Sequence, residues 1–136
     1  MYPPELIKPM REDLTSIGFT ELHTEQDVAG ALSKEGTTLV VVNSVCGCAA
    51  ANARPGARMS LKNDNTPDHL VTVFAGVDRD AVDAARAKMV PFPPSSPAMA
   101  LFKNGELVHM LERHHIEGRA ADIIAENLKG AFNEHC

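Results

Sequence analysis

Cys46 and Cys48, separated only by Gly47, are the residues of this chain with the greatest capacity for chemistry. A thiol reacts as its thiolate, and a cysteine at the start of a helix has that charged form stabilised by free backbone N–H groups and the helix dipole. A second thiol two residues away can attack a mixed disulfide formed on the first, releasing the adduct and leaving an internal bridge. The spacing constrains this chemistry. Two extended residues separate their Cα atoms by about 6.6 to 7.2 Å, at or beyond disulfide reach, so the segment must curl. Gly47 is expected to supply backbone angles that other residues resist. A bridge in so small a ring is expected to be strained, which predicts a relatively oxidising couple suited to resolving or isomerising disulfides.

Two other readings of the pair stand beside this one. The cysteines could be buried, apolar-like residues, or soft thiolates that hold a metal or a partner without turnover. A closed tetrahedral site needs four ligands, however, and the sequence has no second close cysteine pair. The remaining cysteine, Cys136, lies two residues beyond the expected end of the last helix, where a frayed terminus or an auxiliary thiol is expected. Arg54 follows the pair closely enough to favour a thiolate or meet a substrate carboxylate, and lies one turn before Arg58. An exposed helix arginine is the competing reading. His114 and His115 would face opposite sides of a strand, which makes them a poor pair of metal ligands.

The elements that must position these residues follow from apolar spacing and breakers. Met10, Leu14 and Ile17 predict a short helix with Pro9 in its first turn and Gly18 at its end. Thr24 and Asp27 form a variant capping box ahead of a second helix through Val28 and Leu32. Residues 37–45 are a β-branched run too continuous for a one-sided strand, and suit a central strand that delivers Cys46 at its end. Residues 49–54 favour a helix that Pro55-Gly56 should kink or stop. A second strand over 69–77 and a helix over 78–89 follow. Four prolines between Pro91 and Pro97 exclude regular structure. Strands over 98–103 and 106–112 join through Asn104-Gly105, a hairpin signal. Ile124, Leu128 and Phe132 mark a C-terminal helix. The order β-α-β-α-β-β-α behind extra N-terminal helices predicts an α/β domain with a central mixed sheet of about four strands flanked by helices.

Composition narrows the function classes. With 136 residues and no linker or repeat, residues 1–136 read as a single domain. Thirteen Lys and Arg against eighteen Asp and Glu give a net charge of −5, which disfavours nucleic acid. No apolar stretch approaches the ~18 to 20 residues of a membrane span, and the N-terminus lacks the pattern of a secretory signal. A cytosolic protein is expected, in which close cysteines mean redox or metal chemistry more often than stapling.

Asn43-Ser44-Val45-Cys46-Gly47-Cys48-Ala49-Ala50, followed by Asn52-Ala53-Arg54-Pro55, resembles the bacilliredoxin family. The likeness continues through Pro9-Met10-Arg11-Glu12-Asp13-Leu14, Thr72-Val73-Phe74-Ala75-Gly76, Pro94-Ser95-Ser96-Pro97, Ile116-Glu117-Gly118-Arg119 and the terminal Cys136. The resemblance implies a thioredoxin-like fold, with Cys46 as nucleophile and Cys48 as resolving thiol. It implies that the substrates are protein mixed disulfides with a low-molecular-weight thiol, bacillithiol, serving as co-substrate without a bound cofactor, and that disulfide isomerase activity accompanies membership of the family. Pro97 resembles the cis-proline beside thioredoxin cysteines, which implies a cis Ser96-Pro97 bond presenting Ser96 backbone groups to substrate. The chain departs from thioredoxins in three ways. It has no tryptophan, its spacer is one residue instead of two, and no carboxylate lies between Glu35 and Cys46 to take the proton from Cys48.

Overall fold

The β-branched run after Gly36 becomes the middle of a sheet because both of its faces are apolar and find cover. The computed structural model describes residues 2–136. In chain order its elements are α1 (Pro4–Thr15), β1 (Thr20–Glu21), α2 (Glu25–Leu32), β2 (Thr37–Asn43), a π-helical turn (Ala49–Ala53) that runs into α3 (Arg54–Ser60), β3 (His69–Phe74), α4 (Arg79–Ala87), β4 (Ala98–Lys103), β5 (Glu106–Leu111), α5 (Arg113–Ile116) and α6 (Ala121–His135). The sheet has five strands in the order β1-β3-β2-β4-β5. β1, β3 and β2 are mutually parallel, whereas β4 pairs antiparallel with β2 and β5 antiparallel with β4. The strand missing from the expected four is β1, whose two residues are too few to show an apolar alternation.

Every residue of β2 is buried. Its side chains alternate between two cores, as the period of a strand requires. Val40 and Val42 join Val71, Val73, Ala100 and Phe102 beneath α2 and α4. Leu39 and Val41 join Leu14, Met99, Leu101, Leu128 and Phe132 beneath α1, α3 and α6. The strand is therefore held on both faces and both edges, and only its C-terminal end is free to present side chains.

Several boundaries move from their expected places. The first helix begins at Pro4, with that proline at a first-turn position and Pro9 inside the helix. The Thr24 capping box forms as anticipated, with the Thr24 hydroxyl accepting from the Asp27 amide at 3.0 Å. Pro55-Gly56 neither stops nor ends the helix after the cysteines. Pro55 has no N–H to give and its ring crowds the carbonyl one turn earlier. The π-helical turn immediately before it widens the backbone there, and the helix continues to Ser60. Gly56 then sets how closely α3 meets α6, because a Cβ at that position would lie 2.7 Å from Ile124 Cγ2. In the β4–β5 hairpin Asn104 and Gly105 both adopt positive φ, 51° and 83°, as a type I′ turn requires. Among the described residues no helix is long and apolar enough to cross a membrane.

Candidate active site

The chain leaves β2 at Asn43 and turns within a few residues into a helix, so Cys46 and Cys48 sit just beyond the free C-terminal end of a rigid strand. The amides of Ala49 and Ala50 both donate to the Cys46 carbonyl, at 3.0 and 3.3 Å, and begin the helix there. Cys48 has helical angles, φ −63° and ψ −32°. The curl brings the Cys48 amide to 3.3 Å from Cys46 Sγ, so the backbone donates directly to the first sulfur. Both thiols are free and half-buried. Gly47 achieves this without the conformational freedom expected of it. Its φ is not positive, and a Cβ there would meet nothing within 4 Å.

These contacts split the two thiols electrostatically. The Cys46 thiol is drawn below its ordinary value, first by the Cys48 amide, then by the Cys48 thiol, the charge of Arg113 and the Ala49 amide, against the desolvation that opposes them. The Cys48 thiol is pushed up, first because its S–H is held by Cys46 and then by partial burial and the negative charge on Cys46. Of the two, Cys46, the residue nearer the strand, therefore ionises first.

Arg113 is a member of this site that sequence reasoning missed. It lies on α5, sixty-five positions from Cys48, and its Nη2 approaches Cys48 Sγ at 3.8 Å. Its Nη1 donates to the Ser96 carbonyl at 3.1 Å, its backbone amide to Ser95 Oγ at 3.2 Å, and its Nε to Glu117 at 3.0 Å. The charged run from Glu112 to Glu117, directly after a strand, was the available signal. Reading residues 114 and 115 as strand concealed it. His114 and His115 instead belong to the helical turn α5, where His115 Nδ1 accepts from the Glu112 amide at 3.0 Å. Glu112, His114 and His115 can bring their ligand atoms within 4.8 Å of one another.

Ser96 and Cys46 line one groove of about 370 Å³, together with Ser44, Val45, Gly76 and Arg113. The Ser96-Pro97 bond is cis, and so is Val90-Pro91, which was not anticipated. Pro97 is buried, and Ser96 is half-buried.

Arg54 is placed differently from either expectation. It is 4% exposed, so it is neither a surface arginine nor a residue offered to substrate. Its Nη1 donates to Asn43 Oδ1 at 2.9 Å and to the Ser44 carbonyl at 3.0 Å, and its Nε to Asp13 at 2.9 Å. Asn43 in turn donates from Nδ2 to the Met10 carbonyl at 3.1 Å. The guanidinium is a brace that ties α1, the end of β2 and the start of α3 together beneath the thiols. Arg58, one turn on, is exposed.

Cys136 directly follows α6, with its amide still bonded to the Phe132 carbonyl at 2.8 Å, so the helix runs closer to it than its spacing suggested. Asn52 Nδ2 donates to the Arg119 carbonyl near the thiol end of α6, whereas Asn63 and Asn65 donate to Asn133 Oδ1 near the other end. The helix between them has 15 residues, a length of about 22 Å. Cys136 therefore lies at the end of the molecule opposite Cys46 and Cys48.

Comparison with known proteins agrees with this geometry. The family model described as disulphide isomerase matches residues 2–136. The bacilliredoxin of Cytophaga hutchinsonii is 57% identical over 134 residues, covering 98% of this chain and 99% of that one. A bacilliredoxin of Shouchella clausii is 54% identical over 136 residues, covering 99% and 94%. Among solved structures, oxidised mitochondrial thioredoxin 3 of Saccharomyces cerevisiae superimposes with a TM-score of 0.58 at 14% identity, covering 90% of this chain and 98% of that one, which establishes the fold. With a full-length match of this kind around a Cys-Gly-Cys pair at the end of a central strand, the chain belongs to the bacilliredoxin family of thioredoxin-fold thiol–disulfide oxidoreductases.

Proposed function

We propose that this protein removes a low-molecular-weight thiol, bacillithiol by family resemblance, from protein mixed disulfides in the cytosol. The observation that carries the reading is the Cys48 amide directed at Cys46 Sγ, which stabilises a thiolate on the residue facing the groove. The Cys46 thiolate attacks the small thiol's sulfur in protein–S–S–R. The Cys46–S–R bond forms, the old disulfide breaks, and the protein thiolate leaves and takes a proton from solvent. Cys48, once deprotonated, attacks Cys46 Sγ and expels the small thiolate, leaving a Cys46–Cys48 disulfide. Two electrons from an external thiol pair restore the dithiol. No bound cofactor is needed, because the small thiol is itself a co-substrate. The same Cys46 thiolate can attack a wrong protein disulfide and release it rearranged, which is isomerisation. Among the described residues no third His, Cys, Asp or Glu joins the two thiols in a ligand group. The donor set thus supports exchange over a thiolate metal site.

Mass spectrometry of a Cys48→Ser variant incubated with S-thiolated proteins tests the reading. The adduct is expected to accumulate on Cys46, and a Cys46→Ala variant is expected to accept none. Equal deglutathionylation or debacillithiolation by Cys46→Ala would remove the proposal.

A further inference from the structure

The groove beside Cys46 carries one positive charge, on Arg86, that no ion pair among the described residues neutralises. The protein as a whole has a net charge of −5, yet the residues lining the groove include Arg86 and Arg113 and no carboxylate. The two arginines are not equivalent. Arg113 is already paired with Glu117. Arg86, in the last turn of α4, makes no ion pair with any described residue, although it is half-buried. Its Nη2 reaches only the Ser95 carbonyl, at a long 3.4 Å, and its Nε is buried with no hydrogen-bond partner. A guanidinium withdrawn from water without an anion is costly to hold, and its planar fork matches a carboxylate. Arg86 also lines a second cavity with Arg79 and with Asp83, three residues earlier on the same helix, but no ion pair among the described residues joins Arg86 to Asp83.

We infer that Arg86 is the binding residue for a carboxylate on the small thiol, so that the groove selects an anionic low-molecular-weight thiol for attachment to Cys46. The inference rests on the exchange reading above and specifies its co-substrate by charge. In the mixed disulfide the sulfur is bonded to Cys46 while the carboxylate accepts from Arg86, on a path past Ser96. The disulfide RS–SR is the oxidant in forming that adduct: its S–S bond breaks, the Cys46 sulfur is oxidised to the disulfide level and the departing sulfur is reduced to RS⁻. The Cys46 thiolate forms the new S–S bond as RS⁻ departs.

The test uses full-length protein carrying Cys48→Ser and Cys136→Ser, so that Cys46 is the single thiol. Its rate of adduct formation is measured with symmetric disulfides of ω-mercapto acids carrying about two to five methylenes, a range suited to a groove of this size. The matching ω-mercaptoalcohol disulfides are run in parallel, and each rate is divided by that of the same disulfide with a free small thiol. At the best length the acid is expected to react about tenfold faster than the alcohol, the worth of one charge-assisted hydrogen bond. Arg86→Gln is expected to bring the ratio of acid to alcohol rates close to one, and Arg86→Lys to keep part of the preference. A preference below about twofold at every length would overturn the inference while leaving the exchange reading intact. So would one that survives Arg86→Gln and disappears in Arg113→Gln. Absence of adduct with both series would overturn the exchange reading and this inference together.

Discussion

At the scale of single residues, the site works by making two identical side chains unlike each other. Cys46 receives an amide, an S–H and a nearby guanidinium, and Cys48 supplies two of the three. The expected consequence is a biphasic pH dependence of alkylation by iodoacetamide. The Cys46 rate should rise through a midpoint below that of a free thiol, with Cys48 following above it. Arg113→Gln should move the Cys46 midpoint upward and slow alkylation several-fold at pH 7, because one of the causes of the depression is gone. Stability of the reduced protein is linked with the same sign. Since folding lowers the Cys46 value, its contribution is complete above the unfolded thiol's pKa and is lost as pH falls through the folded one. Folding raises the Cys48 value, which contributes with the opposite sign, so chemical denaturation at a series of pH values reads the sum of the two. An Arg113→Gln protein whose Cys46 midpoint stays in place would show that the backbone amides act alone.

At the scale of elements, the thiols depend on how α3 is seated. Arg54 anchors its start to α1 and the end of β2, and Gly56 lets its next turn approach α6. A methyl at Gly56 has no room, so Gly56→Ala is expected to destabilise the fold by about 1–3 kcal/mol despite alanine's better helix propensity. Urea unfolding measures the loss, and an unchanged midpoint would mean that α3 and α6 can slide apart freely. Whereas the two-residue β1 and the single turn α5 are too short to carry an apolar pattern, the longer strands and helices were legible because their apolar spacing has one interpretation. The capping box at Thr24 and the hairpin at Asn104-Gly105 were legible for the same reason, since each is a local pattern with a local cause. What sequence could not supply was the partner of a charge. Arg54 looks like a surface helix residue until Asn43, Ser44 and Asp13 are seen around it. Arg113 looks like an ordinary charge after a strand until the fold carries it across to Cys48. The path of the helix through Pro55 was also hidden, because widening by a π turn leaves no residue signature.

At the scale of the whole molecule, the three cysteines separate into a pair and an outlier. The pair lies at one end of α3 and α6 and Cys136 at the other, with the length of α6 between them. Cys136 cannot reach an adduct on Cys46 of its own chain, so Cys136→Ser is expected to leave the rate of mixed-disulfide turnover at dilute protein unchanged. A fall in turnover that deepens with protein dilution would contradict this. One that appears only at high concentration would instead report exchange between molecules. The order of elements and the location of Cys46 at the end of a central strand were already implied by the chain. The distance of Cys136 was not, because it depends on α3 and α6 lying parallel to each other.

Arg113 links two things that are usually discussed apart. One guanidinium donates to the carbonyl of Ser96 and approaches the sulfur of Cys48. A thiolate at the pair attracts it, whereas a disulfide bears no charge to do so. By thermodynamic reciprocity, any ligand that binds the Ser96 carbonyl region through Arg113 more strongly in one oxidation state must shift the dithiol–disulfide equilibrium by the same factor. The Ser96 carbonyl and the two sulfurs therefore share a single coupling free energy, and it runs through one side chain.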